Sequence, residues 1–297
     1  SRRSADRLQL IDLSANDIET LSERTMEGLL RLEHLNLRDN RLTSLPETIF
    51  DPSRVRSVES IDLSGNRLTE IPIRSLQRQI GFLFRLNLAR NRMVELFSQE
   101  VASNVKELDL SDNPLSENAV KGILGEAKIL RFLNLSNTGI ERLMVRLETP
   151  FLKRLDLSRN GLSDLRATTL ERATMLETLD LSGNKFSDLS SLNKAFQALP
   201  ALRRLDISDN YVKTINETDF DGLAGLLYSL MFHSLSVSVS SCLYSFNLTR
   251  INSRSKVYVY TRPVHVCNLI HNTTLHTIYI LYKSTHTHVD SFSLSFF

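Results

Sequence analysis

Residues 32–42 read Leu-Glu-His-Leu-Asn-Leu-Arg-Asp-Asn-Arg-Leu, and this stretch decides the fold because it is one copy of a repeat. The pattern L-x-x-L-x-L-x-x-N-x-L, with Val, Ile, Met or Phe allowed for Leu, occurs nine times in the chain. Self-similarity at a fixed period is typical of stacked repeat architectures. The asparagine column of the pattern recurs every 22 to 26 residues, at Asn16, Asn40, Asn66, Asn91, Asn113, Thr138, Asn160, Asn184 and Asn210.

The L-x-L core of each copy alternates apolar and polar residues, which predicts a short strand with its leucines pointing inward. One strand from each coil would join a parallel sheet. The asparagine follows the strand, where its amide can bond to turn backbone that is otherwise buried without partners. Thr138 takes this position in the sixth coil. We expect a local weakness there, because a hydroxyl offers fewer hydrogen bonds than an amide.

The return arcs between the strands differ from coil to coil. Pro46 and Pro72 predict arcs that are extended or 3₁₀-like, because proline lacks a backbone donor and resists regular helix. In the fifth coil, Ser116 stands as a cap residue before a stretch with helical periodicity over 117–124. A true short helix is predicted there.

These motifs make residues 8–226 similar to the leucine-rich-repeat family. The resemblance implies an α/β fold, a right-handed solenoid with a concave parallel β-sheet and short helical, 3₁₀ or extended convex arcs. It also implies that ligands dock on the concave face. The segment Leu45–Phe50 resembles the "typical" subclass, which is found mostly in extracellular proteins. The segments 115–120 and 147–152 resemble chaoptin-like adhesion proteins.

The repeat is expected to occupy residues 1–226 as nine coils uncapped at both ends, in a fragment of a longer protein. A tenth coil starting at Leu226 would need asparagine at position 234, where the chain has Ser234. Composition changes at the same point, since 33 of the 34 acidic residues precede it and only Asp290 follows. Residues 227–297 are therefore interpreted as a low-complexity tail, disordered or poorly ordered, that resembles translation past a splice boundary.

Two other interpretations of the tail are open. Residues 222–249 carry no charged side chain and are long enough to span a membrane, although seven serines interrupt them. Metal-ligating residue types also occur, but with a spacing that fits no familiar zinc module. They are His265, Cys267, His271 and His276.

The outward strand positions are the candidate binding residues. Aspartate and asparagine fill the central column, which predicts either a negative stripe for a basic partner or a role in shaping the strand end. This column contains Asp12, Asn36, Asp62, Asn87, Asp109, Asn134, Asp156, Asp180 and Asp206. The flanking column varies, as partner specificity requires, and its arginines and Phe132 are favoured interface anchors. Its candidate contacts are His34, Arg85, Glu107, Phe132, Arg154 and Arg204.

The sequence predicts a non-enzymatic protein that binds another protein, with no cofactor and no metal, because no catalytic motif is present. A net charge of +2 gives no case for nucleic acid. The favoured role is a cell-surface adhesion or receptor ectodomain, extracellular and glycosylated at Asn216, with any membrane association supplied by parts outside this fragment. The alternatives are an intracellular scaffold or adaptor in the cytoplasm, and homophilic contact between copies.

Overall fold

The computed structural model describes residues 7–95, 104–214 and 229–231 of the chain. These residues divide into two compact units. The first lies within residues 1–140 and 145–157, and the second lies within residues 141–144 and 158–297.

The described part of the first unit contains a seven-stranded parallel sheet in which every strand has three residues. Neighbouring strands pair in register at equivalent repeat positions, as with Leu35 and Ile61. The predicted strand of each coil is thus confirmed. The strands are β1 Leu10–Asp12, β2 His34–Asn36, β3 Ser60–Asp62, β4 Arg85–Asn87, β5 Glu107–Asp109, β6 Phe132–Asn134 and β7 Arg154–Asp156.

The second unit continues the same pattern with β8 Thr178–Asp180, β9 Arg204–Asp206 and β10 Ser229–Met231, which are parallel and hydrogen-bonded in that order. Strand β10 lies within residues 227–297, the segment interpreted as the tail, and its pairing gives a register different from that of a coil starting at Leu226. Leu230 pairs with Leu205, whereas a coil starting at Leu226 would have placed Ser229 there.

The corrected register moves the tenth copy one residue along the chain. Its apolar positions then fall on Leu227, Leu230, Phe232 and Val237, and Leu235 replaces the asparagine. The interpretation of residues 227–297 as a low-complexity tail, with its membrane and metal alternatives, is not tested by this one strand and stays a prediction.

The inward leucines form the core of each unit. Leu35 and Leu37 of the second copy are 2% and 0% exposed, and Leu179 and Leu181 of the eighth are fully buried. Burial of each such side chain contributes about 1.5–3 kcal/mol. Since every coil adds its own set, stability accumulates coil by coil.

The asparagine column links each coil to the one before it. The Asn66 amide donates to the carbonyl oxygens of Leu37 and Leu63, both at 3.0 Å, and its Oδ1 accepts the Leu42 N–H at 2.9 Å. Leu37 and Leu42 belong to the preceding coil. One buried side chain therefore satisfies backbone groups of two successive turns.

The sixth coil makes this connection differently. Thr138 Oγ1 donates to the Leu135 carbonyl at 2.7 Å. The Leu115 N–H, which corresponds to the Leu42 N–H, bonds to the carbonyl of Asn113 at 2.9 Å, within its own coil. The sequence expectation of a local weakness at Thr138 thus gains a structural basis, and the weakness itself stays a prediction.

A backbone requirement that the sequence did not reveal lies one residue before each asparagine-column position. Every residue there has a left-handed backbone, including Ala15 with φ 55° and Arg90 with φ 54°. Glycine occupies this turn at Gly65, where an added Cβ would lie 2.1 Å from the Asp39 carboxylate. Most of the other coils hold a non-glycine residue in a conformation that costs free energy.

The described arcs contain four helices, namely α1 Ile73–Leu76, α2 Glu117–Glu126, α3 Ala167–Leu170 and α4 Ser190–Phe196. Helix α2 confirms the predicted helix of the fifth coil. The Ser116 hydroxyl accepts the Ala119 N–H at 3.1 Å and so caps it. No helix among the described residues is long and apolar enough to cross a membrane.

The arc after Pro46 has the predicted structure, and the arc after Pro72 does not. After Pro46 the chain makes a 3₁₀-type bond, from the Ile49 N–H to the Pro46 carbonyl at 3.2 Å, as predicted. After Pro72 the prediction is wrong, because α1 begins at once and the Leu76 N–H bonds to the Pro72 carbonyl at 3.1 Å. Proline at a helix start loses nothing, since the N–H it lacks would have no intrahelical partner.

We predict that Thr138→Asn raises the free energy of unfolding by about 1 kcal/mol, because the amide restores a hydrogen bond to the preceding coil. Asn113→Thr, the matched reverse change one coil earlier, should lower it by about 2 kcal/mol, since it leaves the Met93 N–H and buried carbonyls without their amide. Urea unfolding of the full chain measures both. A destabilising Thr138→Asn would show that the sixth turn has adapted to a hydroxyl.

Candidate binding surface

The solvent side of the sheet in the first unit carries the first and third residues of each strand, and we call this surface the strand face. The middle residue of every strand from β2 to β7 is buried. His34, Arg85 and Arg154 are exposed at first positions, and Glu107 and Phe132 are half-buried there. The structure thus places the predicted candidates of the first unit on one surface.

Four first-position residues form a continuous row across β4 to β7. They are paired in register in the order Arg85, Glu107, Phe132 and Arg154. Arg85 Nε lies 2.6 Å from Glu107 Oε2, and the Arg154 guanidinium stands 5.1 Å from the centre of the Phe132 ring. At a strand spacing of about 4.8 Å, the row is about 14 Å long.

The row borders an open depression with a volume of about 260 Å³. Two ion-paired side chains line one end, and the stacked Phe132–Arg154 pair lines the other. A guanidinium over an aromatic ring contributes about 0.5–1 kcal/mol at an exposed site and orients both groups. The depression is lined by Arg85, Leu86, Asn87, Glu107, Asp109, Phe132 and Arg154.

The aspartates at third positions are engaged in the turn that follows each strand. Asp109 Oδ1 accepts the N–H and the hydroxyl of Ser111 at 3.0 and 2.7 Å, and its Oδ2 accepts from the Asn134 amide at 3.2 Å. Asp62 repeats this arrangement with Ser64 and Asn87. Where Asn follows Asp in the column, its amide therefore donates to the carboxylate of the preceding strand. This geometry supports the role in shaping the strand end over the role as a negative stripe.

The remaining predicted residues lie elsewhere. Arg204, Asp180 and Asp206 belong to the second unit, where the Ser182 and Ser208 N–H groups donate to Asp180 and Asp206 at 2.9 Å. Asp156 is half-buried at the end of β7. Asn216 lies outside the described residues.

The residues directly before the strands form a second column that the sequence reasoning missed. Lys106 N donates to the Phe84 carbonyl, Arg131 N to that of Lys106, and Lys153 N to that of Arg131, at 2.8–3.0 Å. The ammonium of Lys106 also lies 5.2 Å from the centre of the Phe84 ring. Aligning the repeats at the position one residue before the flanking column would have revealed this basic row.

Among the described residues, no group of three or more His, Cys, Asp and Glu side chains is arranged to hold a metal ion. His34 is the only histidine of the repeat copies and lies on the strand face. The expectation of no metal and no cofactor stays a prediction.

Stacked strand-and-arc coils with a solvent-facing strand surface define a repeat protein that offers an extended surface for binding. Family models described as leucine-rich repeats match residues 6–68, 150–165 and 174–224. The chain belongs to the leucine-rich-repeat family, whose domains are typically non-enzymatic protein–protein interaction modules.

The curated relatives match about a third of the chain. Tsukushi of Mus musculus is 38% identical over 88 residues, which are 29% of this chain and 24% of Tsukushi. Leucine-rich repeats and immunoglobulin-like domains protein 1 of Homo sapiens is 34% identical over 86 residues, which are 29% of this chain and 8% of that protein. The matched segment thus spans a quarter or less of these relatives.

A solved leucine-rich-repeat protein of Leptospira interrogans is similar over most of the chain. It has 29% sequence identity and a TM-score of 0.66, with 83% of this chain and 59% of that chain covered. This likeness confirms the solenoid fold class. The chaoptin-like resemblance stays a prediction.

The turn bonds at the strand ends predict a titration effect at Asp12. Hydrogen bonds from the Ser14 hydroxyl at 2.6 Å and the Ser14 N–H at 2.8 Å hold the pKa of Asp12 below its ordinary value. We expect Ser14→Ala to raise the pKa of Asp12, because it removes the hydroxyl donor, whereas Ser14→Thr should keep it low. The Asp12 carboxyl ¹³C shift, titrated with pH, measures the change.

The sign of the stability effect follows from the lowered pKa. The Ser14 bonds stabilise the fold above the unfolded-state pKa of Asp12, and this contribution is lost as pH falls through the folded-state pKa. Ser14→Ala should therefore weaken the acid dependence of unfolding. An unchanged Asp12 titration in Ser14→Ala would contradict the role given to the hydroxyl.

Proposed function

We propose that the protein binds another protein through its strand face, as part of a cell-surface adhesion or receptor ectodomain. The observation that carries this proposal is the row Arg85, Glu107, Phe132 and Arg154 around the open depression. Arginine and aromatic side chains are the residue types that most often anchor protein interfaces.

The row is also pre-organised for binding. Its strands are hydrogen-bonded to one another in register, and its side chains are held by the Arg85–Glu107 ion pair and the Arg154–Phe132 stack. A partner therefore meets groups that have little conformational freedom left to lose, which lowers the cost of association. A depression of about 260 Å³ has room for side chains of a partner.

The extracellular compartment is proposed from the sequence. The Leu45–Phe50 arc resembles the extracellular subclass, and the N-x-T sequence at Asn216 offers a glycan acceptor. The alternative is an intracellular scaffold.

The binding proposal predicts that two changes in the first-position column abolish recognition. Tetramers of the full chain are screened for binding to purified secreted and cell-surface ectodomains. The chain itself is one of the proteins tested, which covers homophilic contact. For any partner found, Arg154→Glu with Arg204→Glu should lower the affinity at least tenfold, because both reversals place a carboxylate where a cationic anchor stood. Surface plasmon resonance measures the affinity, and circular dichroism checks the fold.

A matched control has the same change in charge. Arg142→Glu with Arg172→Glu alters two exposed arginines of the arcs, and it should leave the affinity within twofold of the unaltered chain. A partner that binds the Arg154→Glu, Arg204→Glu variant as tightly as this control would place the interface on another surface.

The compartment proposal predicts that the chain, expressed with a secretion signal, carries a glycan at Asn216. Peptide N-glycosidase should increase its gel mobility, and Asn216→Gln should remove that shift. Asn134→Gln is the control, because Asn134 starts a second sequon whose side chain is occupied on the strand face by bonds to Ser136 and Asp109. An unglycosylated Asn216 in secreted material would favour the intracellular alternative.

A further inference from the structure

Five basic side chains of the first unit lie where β4 to β7 begin. The two columns at this end of the four strands hold these five cations and one carboxylate, Glu107, which is paired with Arg85. The two columns therefore contain no further carboxylate to balance Lys106, Arg131 and Arg154. We call the following six residues the strand-start patch: Phe84, Lys106, Arg131, Phe132, Lys153 and Arg154.

Two of the four cations of the strand-start patch lie against aromatic rings. Lys106 stacks on Phe84 at 5.2 Å and Arg154 stacks on Phe132 at 5.1 Å. A stacked cation keeps its outer side open to a second, anionic group, and the ring keeps its alkyl stem in place. The patch thus presents fixed positive charge beside apolar surface.

Exposed phenylalanines continue the patch toward the arcs. Phe82 is 58% exposed, Phe84 is 37% exposed and Phe151 is 51% exposed. All three lie within three residues before the first residue of β4 or β7. Large apolar side chains clustered beside cations at one edge mark a surface that another molecule covers.

The surroundings of the strand-start patch limit what that molecule can be. Asp109 and Asp156 lie two residues further along β5 and β7, about 7 Å from the first positions. Glu33 and Glu59 precede β2 and β3 on the neighbouring side. A uniformly charged polyanion would meet these carboxylates, and a flat headgroup layer would not fill the depression beside Phe132. A protein segment can place its acidic and apolar side chains separately.

We propose that the strand-start patch binds an acidic segment of the partner protein in which carboxylates adjoin an aromatic or aliphatic side chain. Lys106, Arg131 and Arg154 take the carboxylates, and the depression beside Phe132 takes the apolar side chain. This inference rests on the proposed function. It opposes the basic partner that the aspartate column predicted, because those aspartates are occupied by the strand-end turns.

The test is selection of random 12-residue peptides displayed on phage against the full chain. Selected peptides should be enriched in Asp and Glu next to Phe or Leu. A synthetic peptide of the enriched sequence should lose at least tenfold in affinity with Lys106→Glu and Arg131→Glu, and less than twofold with the control Arg142→Glu and Arg172→Glu. Its affinity should also fall as salt is raised, because screening weakens exposed charge pairs.

The outcomes separate this inference from the proposed function. Enriched peptides without acidic side chains that are lost with Arg154→Glu and Arg204→Glu, but not with Lys106→Glu and Arg131→Glu, would leave the strand face as the binding surface and overturn the acidic segment. Both proposals would be overturned if no peptide is enriched. They would also be overturned if the enriched peptides bind equally well to the Arg154→Glu, Arg204→Glu variant and to the Lys106→Glu, Arg131→Glu variant. Heparin or phosphatidylserine vesicles that bind through Lys106 and Arg131 in place of the peptides would overturn the protein segment as occupant.

Discussion

The side-chain amide of the asparagine column is the interaction on which the coils depend. Each strand has only three residues, so the chain must turn away from the sheet with its backbone groups still buried. Asn66, Asn91 and Asn113 are each less than 8% exposed, and each donates to carbonyl oxygens of its own turn and of the preceding coil. A buried carbonyl or N–H without a partner costs about 1–3 kcal/mol. The column avoids that cost at these turns and connects successive coils.

The same turn controls the chemistry of the strand ends. The residue before the asparagine is left-handed, and the third strand residue turns its carboxylate or amide oxygen to the N–H two positions later, as Asp62 does to Ser64. Both constraints act in nearly every coil, so they leave little freedom at the end of a strand. Asp and Asn recur there because folding uses them. Composition alone could not distinguish this role of Asp and Asn in folding from a negatively charged surface that binds a partner.

The period of the sequence was sufficient to predict the strands, their parallel order and the capped helix α2, because each depends on local pattern. It could not predict the left-handed turns, since Arg90 and Arg159 adopt them without any glycine or asparagine signal. It also considered a tenth copy only in the register of Leu226, because Leu226 and Leu227 are both leucine and only the pairing of Leu230 with Leu205 distinguishes them. The stacking of Lys106 on Phe84 depends on side chains from two coils and has no local signal.

Binding specificity in this fold can therefore reside only at positions whose side chains are not needed for folding. The inward leucines, the asparagines and the strand-end aspartates are all committed to the coil. The residues at the starts of the strands have their backbone paired but their side chains directed to solvent, and they change from coil to coil. Within the described coils, β4 to β7 are where these free positions combine cations with aromatic rings. The Lys106–Phe84 and Arg154–Phe132 pairs hold these side chains in place before a partner binds, so that association costs little conformational freedom there.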